Sequence, residues 1–268
     1  MNPLLFFSIF SVLLFSLHAL FYLRVIRRLL LSGKFKRWFT FLLILNFILN
    51  MSYFLVRYSD LLPYSLSYVS STSIGVSFVL LLYLILHEIL NIFHKSLKRV
   101  EHSKREFIKK AGDASLMALA TSYVTAGAYE GSKEPVINVV QTGVFDFSVV
   151  QISDLHIGGL IDQKYVQECV QKINYLHPDL VMITGDLIDT EITHIAKAVL
   201  ELNNINAKYG VFMVLGNHEY FHNPHEIINF INTQTTIKLL LNDAVAIEEL
   251  KVNIVGVNDL FGYRTGIL

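Results

Sequence analysis

Hydrophobic positions are distributed in two different ways along this chain. Up to about residue 134 they run together in long blocks. Residues 4–23 are almost uninterrupted apolar sequence with no acid or base, close to the about 20 residues that a helix needs to cross a bilayer. This block is too long for a removed signal peptide and lacks its small-residue cleavage site. Residues 39–56 and 74–93 form two further blocks of spanning length. A fourth, residues 111–129, is built of Ala, Gly, Ser and Thr with a few larger apolar groups. Its single charge, Asp113, lies near its start, where an ion costs far less than at mid-membrane. The pattern predicts three or four transmembrane helices.

From Pro135 onward, short apolar runs alternate with segments of helical period. Residues 148–153 read as a β-strand. Tyr165, Val166, Cys169, Val170, Ile173 and Leu176 then recur at three-four spacing and predict one apolar helix face, which His177-Pro178 ends. Strands at 180–183 and 211–215 are separated by a helix near 192–202, with Ile195, Val199 and Leu202 inward. A helix over 224–232 and strand-like runs at 237–241 and 252–257 complete the readable part. Alternating strand and helix predicts a layered α/β domain with a largely parallel sheet. The expected architecture is therefore a multi-span α-helical membrane region, residues 1–134, followed by a partial layered α/β domain, residues 135–268.

Charge sharpens this division. The 268 residues carry a net charge of +0, but residues 1–135 hold 15 basic and 7 acidic side chains and the remainder holds 7 and 15. At 53% hydrophobic and 16% charged, the chain is too apolar for an ordinary soluble domain and cannot be a disordered one. The lone cysteine, Cys169, excludes a disulfide framework and a Cys-rich zinc module, and its place on an apolar face makes it a core residue. The basic residues flank apolar blocks and form no patch on the globular half, which argues against a nucleic-acid partner.

Those basic residues also orient the spans. Arg24, Arg27, Arg28, Lys34, Lys36 and Arg37 follow the first block, and Lys95, Lys98, Arg99, Lys104, Arg105, Lys109 and Lys110 follow the third. Positive loops stay in the cytoplasm, so the amino terminus is expected outside. If residues 111–129 cross, the globular half lies outside the cytoplasm; if they lie flat as an interfacial helix, it stays inside. The basic run before this segment favours crossing, which predicts a multi-pass protein of the cytoplasmic (inner) membrane with an extracytoplasmic domain. Residues 103–109 (Ser-Lys-Arg-Glu-Phe-Ile-Lys) resemble a twin-arginine export signal with Lys replacing the first Arg, though an ordinary positive anchor explains them equally. His87-Glu88-Ile89-Leu90-Asn91 opens like a zinc-protease helix, but Asn91 stands where the second histidine would be needed. His18, within the first span, is more simply a packed residue than a functional one.

Candidate chemistry lies at the strand ends, where parallel sheets bind ligands. Asp154-Leu155-His156 follows the first strand, Gly185-Asp186-Leu187-Ile188-Asp189 the second and Gly216-Asn217-His218-Glu219 the third. Three strands thus deliver carboxylates, imidazoles and an amide to one edge. Asp186 has two oxygens and can bridge two cations, Asn217 offers a neutral oxygen, and Gly185 and Gly216 permit tight turns. Oxygen and nitrogen donors without thiolate suit Mn, Fe, Zn or Mg. Singly, Asp154, Asp186 and Asp189 read as turn or capping acids, and His156 and His218 as packed histidines. Jointly they are better explained as one metal site.

These three motifs, in this order at strand ends, resemble the calcineurin-like metallophosphoesterases, and especially membrane-associated bacterial members with a multi-span amino-terminal region. The resemblance implies a metal-dependent phosphoesterase with two divalent cations. Asp154 and His156 would bind the first, Asp186 would bridge, and Asn217 would bind the second. His218 would be the proton donor or phosphate-stabilising group, and Asp189 a carboxylate orienting a neighbour. The implied partners are the lipid bilayer and a phosphorylated small-molecule or lipid substrate. The family pattern continues with another His motif and a Gly-His-x-His motif, neither of which follows before Leu268. Only His222 and His225 come after His218, and both read as exposed loop residues. The expectation is a truncated chain with impaired activity, its missing strands leaving apolar faces and an open edge. The alternative is a non-catalytic membrane scaffold or sensor that retains the fold.

Overall fold

A computed structural model describes residues 3–29, 31–58, 62–96, 101–131, 133–143 and 146–266. The chain divides into two compact units, residues 1–133 and 134–268. In the first, the apolar blocks form α1 (Pro3–Arg24), α2 (Gly33–Tyr58), α3 (Ser67–Ser96) and α4 (His102–Gly131). α1 nearly coincides with its block, whereas α2, α3 and α4 each extend several residues beyond theirs, because polar flanks continue the hydrogen-bond ladder that the block begins. Among the described residues, three stretches are long and apolar enough to cross a membrane, Leu5–Arg28, Gly33–Val56 and Ser67–His94. α4 is as long as α3, but Lys104, Arg105, Lys109, Lys110 and Asp113 crowd its first half.

Apolar packing and hydrogen bonds both hold this unit together. Phe21, Val25, Leu43, Tyr83, Leu84 and Leu116 form a buried cluster drawn from all four helices. A polar chain runs through α1, α2 and α3. His18 Nε2 lies 2.9 Å from Asn46 Oδ1, which also accepts from the Ser77 hydroxyl at 2.8 Å. The Asn50 amide donates to Ser77 Oγ at 2.7 Å. Among apolar surroundings, hydrogen bonds of this kind set which helix faces meet. His87 is buried and faces Asp113 of α4 at 3.5 Å, and Asp113 in turn pairs with Lys109 at 2.8 Å.

The second unit is built on a four-stranded parallel sheet in the order β1 (Val149–Ile152), β2 (Leu180–Thr184), β3 (Val211–Val214), β4 (Lys238–Leu239). Register is set by pairs such as Val149↔Leu180 and Val181↔Val211. α5 (Gln163–Tyr175) begins at an Asp162 cap, whose carboxylate accepts from the Tyr165 amide at 2.9 Å. It buries Val166, Cys169, Val170 and Ile173, the face that the spacing predicts. Burial pushes the Cys169 thiol up to about 11, so it stays protonated and inert at neutral pH. α6 (Ile192–Leu200) buries Ile192, Ile195 and Val199, and α8 (Pro224–Gln234) buries Ile227 and Ile231.

A two-stranded antiparallel hairpin, β5 (Asp243–Ile247) and β6 (Val252–Gly256), covers part of the sheet. Ile247 and Ile254 meet Leu180, Phe212 and Leu240 in one buried cluster. The close fit is visible at Gly256, where a Cβ would stand 2.3 Å from that of Leu240. Two short helices, α7 (Asn217–Phe221) and α9 (Leu260–Thr265), complete the unit. The extended segment before β1 leaves Val136, Val139 and Val140 about four-fifths exposed, at 81%, 79% and 82%.

Candidate metal centre

The loops leaving β1, β2 and β3 do not separate after their strands end. The backbone amides of Asp154, His156 and Ile157 donate to the carbonyls of Gly185, Asp186 and Leu187 at 3.2, 2.9 and 2.8 Å. Asp189 N–H returns the bond to Ile157 O at 3.1 Å. This lacing forces unusual backbone angles: Asp154, His156 and Asp186 have φ of 54°, 49° and 50°, in the left-handed region that non-glycine residues seldom occupy. Strain of this kind costs of order 1–3 kcal/mol per residue and persists where the surroundings over-determine it, characteristically at functional sites.

Glu219 ties the third loop to the second. Its carboxylate is fully buried and accepts three backbone amides, Ile188 at 2.8 Å, Gly216 at 2.8 Å and Asp186 at 3.1 Å. Burial raises the pKa of this carboxyl group, while the amides of Ile188 and Gly216 favour its charged form. Asp186 reciprocates, since its Oδ1 accepts from the His218 amide at 2.9 Å. Gly185 and Gly216 allow the approach. A Cβ on Gly216 would stand 2.2 Å from Asp186 Oδ1, and one on Gly185 would stand 2.7 Å from the Gly216 nitrogen.

On this frame, His156, Asp186 and His218 each offer one donor atom, all within 4.8 Å of one another. Asp189 braces the group: its Oδ1 is 2.6 Å from His218 Nδ1 and 3.8 Å from His156 Nδ1. The imidazole rings meet edge to face at 4.4 Å. Side-chain exposures of 33% for His156 and 27% for His218 leave the donors reachable from solvent. Two imidazole nitrogens and a carboxylate oxygen this close together fit a divalent cation of the Mn, Fe or Zn kind.

The expected residues fall into three groups. His156 and Asp186 stand together, as the motif reading has them. His218, for which the resemblance implies proton donation, stands inside the donor group as well. Asp154 lies outside it: its side chain is exposed, and its Oδ2 accepts from the Ser153 hydroxyl. Asn217 is the first, partly buried residue of α7. His222 is partly buried and His225 is exposed within the first turn of α8, so only one of the two is the exposed residue that the sequence suggests, and it is helical. Glu219 carries no role in the motif reading. The signal for it is present in the sequence, since an acid three residues after Gly216 is the reaching half of a capping box.

Known proteins resemble this chain in sequence. The profile of the calcineurin-like phosphoesterase family matches residues 147–265. An uncharacterized metallophosphoesterase of Campylobacter jejuni is 25% identical over 98% of this chain and 71% of its own length. One from Helicobacter pylori is 29% identical over 78% of this chain and 56% of its own, so the chain spans little more than half of that relative. A Danio rerio transmembrane protein with a metallophosphoesterase domain is 28% identical over 60% of this chain and 39% of its own length. No solved structure matches the chain significantly.

Proposed function

Residues 147–265 belong to the calcineurin-like phosphoesterase family, and from that premise we propose that this domain hydrolyses phosphate esters beside the membrane that the apolar helices enter. The observation that carries the reading is the convergence of His156, Asp186 and His218 to within 4.8 Å. Of the expected ligands, His156 and Asp186 stand where they would hold a divalent cation; Asp154 and Asn217, on the same loops but outside the converged group, are proposed for the remaining cation-binding positions that the family resemblance implies. When bound, such cations neutralise charge on the phosphoryl group and make water a nucleophile at neutral pH.

The chain's own groups supply the rest. Asp189 Oδ1 accepts a hydrogen bond from His218 Nδ1 at 2.6 Å, which leaves Nε2 as the working nitrogen. From Nε2 a proton can pass to the departing oxygen, and the same N–H can hold a phosphoryl oxygen. A second reading, His218 as a direct ligand, is favoured by its place in the donor group. Glu219 acts through the backbone, holding the Asp186 and Gly216 amides in the turn that aims the carboxylate.

The test is hydrolysis of phosphate monoesters and diesters by the full chain with Mn²⁺, set against Asp186→Ala. A loss of at least about a thousandfold in kcat/KM, together with lost Mn²⁺ binding, is expected. Activity that survives the substitution sinks the hydrolase reading. A chain that binds no metal and turns over no ester would act instead as a scaffold or sensor.

The domain is proposed to face the extracytoplasmic side of the inner membrane, reached through α4 as a fourth span. What supports this is antiparallel packing of α4 on α3: Gly112 lies against Leu90, where a Cβ would come within 3.7 Å, and Met117 and Ala120 pack on the cluster that holds Leu80, Tyr83 and Leu84. Lys164 is exposed, so Lys164→Cys reports sidedness while the buried Cys169 stays silent. Labelling by a membrane-impermeant maleimide in intact spheroplasts is expected; protection until lysis would put the domain in the cytoplasm.

A further inference from the structure

The rings beside the metal donors continue outward. His156 meets His218 at 4.4 Å, His218 meets Phe221 at 5.1 Å and Phe221 meets Phe261 at 4.9 Å, with interplanar angles of 80°, 63° and 81°. One end of this row is the imidazole pair of the candidate metal centre. The other end is hydrocarbon, and Phe221 remains 46% exposed. From this geometry we infer that the Phe221–Phe261 pair takes an apolar group esterified to the phosphate, and that this domain acts on phosphate esters of alkyl or aryl alcohols. This inference rests on the phosphoesterase reading and names its substrate class.

Three observations support it. Core packing does not explain the position of Phe221, because nearly half of its surface stays in water although burying a Phe side chain is favourable. The row is also held in place. Tyr220 is buried, and a Cβ on Gly262 would stand 2.4 Å from its Cζ, so α9 sits directly on α7; the Asp259 carboxylate fixes the first turn of α9 by accepting from the Phe261 amide at 2.7 Å. Finally, α9 keeps Leu260 and Tyr263 at 73% and 79% exposure, which adds apolar surface on the helix that carries Phe261. A phosphate held at His156, Asp186 and His218 has its ester group within reach of these rings, and desolvating both surfaces favours an apolar group over a polar one.

The experiment uses phosphonates, whose C–P bond cannot be hydrolysed, so binding is read without turnover. Affinities of 1-naphthylmethylphosphonate, hexylphosphonate and methylphosphonate are measured by calorimetry on the full chain in nanodiscs with Mn²⁺. At least a tenfold preference for one apolar probe over methylphosphonate is expected. A larger gain for hexyl points to a lipid-derived group, and a larger gain for naphthyl to an aromatic one. Phe221→Ala, and separately the milder Phe261→Leu, should bring that ratio below threefold while the thermal melting curves stay cooperative. Failure of both apolar probes to bind more tightly, or a ratio unchanged in both variants, overturns the inference. Asp186→Ala separates the two readings: if it leaves methylphosphonate binding intact, the phosphoesterase site is wrong even where the apolar preference depends on Phe221.

Discussion

Each half of the molecule gathers histidine and other polar side chains into a cluster, and the two clusters are built to opposite ends. In the membrane unit, His18, Asn46, Asn50, Ser73 and Ser77 are each 9% exposed or less. Their polar atoms are spent on one another and on backbone carbonyls, as where the Asn46 amide donates to Ser73 O at 3.0 Å. In the globular unit, His156, Asp186 and His218 converge while remaining partly exposed, on a backbone strained at positions 156 and 186. Polar groups that satisfy one another specify a packing arrangement. Donors that converge without satisfying one another, held by strain, leave valence for a ligand.

Three experiments probe that contrast, the largest effect first. His218→Gln should lower kcat by about 10²–10³-fold if Nε2 handles the proton, with Mn²⁺ affinity kept within about threefold. If Mn²⁺ affinity instead falls more than tenfold by calorimetry, His218 is a ligand and the proton comes from elsewhere. Glu219→Gln keeps the side-chain volume but turns one acceptor oxygen into a donor facing backbone amides. It should cost about 2–3 kcal/mol, read as a lower melting temperature of the domain, and a variant melting with the wild type would mean that the buried carboxylate does not hold the loops. The smallest effect belongs to the membrane cluster. A double-mutant cycle of Asn46→Leu and Ser77→Ala should yield a coupling of about 0.6 kcal/mol in detergent unfolding, with hydrolysis unchanged. Lost hydrolysis there would show that the bundle's polar chain is functional and that the contrast fails.

How much of this is legible in the sequence differs element by element. The α5 face is readable because a three-four period survives any tertiary context, and β1, β2 and β3 stand out as apolar runs ended by turn chemistry. β5 escapes the pattern reading because only Ile247 at its end is buried, so Asp243–Ile247 shows no clear alternation. α7 and α9, with five and six residues, are too short to show a period. Within the site, the motif positions are legible one strand end at a time. Glu219 is legible only as a local capping acid, and its tie to the second loop and the ring row are not, because these lie in contacts to residues about thirty or forty positions away.

The amino-acid sequence alone settled the two-part plan, the apolar spans, the α/β alternation and the three strand ends that carry donors, since each follows from local spacing and residue chemistry. Only the tertiary structure decided which donors meet. Left-handed backbone at residues 154, 156 and 186, enforced by amide bonds between neighbouring loops and by one buried carboxylate, brings His218 into the group with His156 and Asp186 and leaves Asp154 outside it. A loop's direction depends on what it is laced to, and that partner comes from elsewhere in the chain.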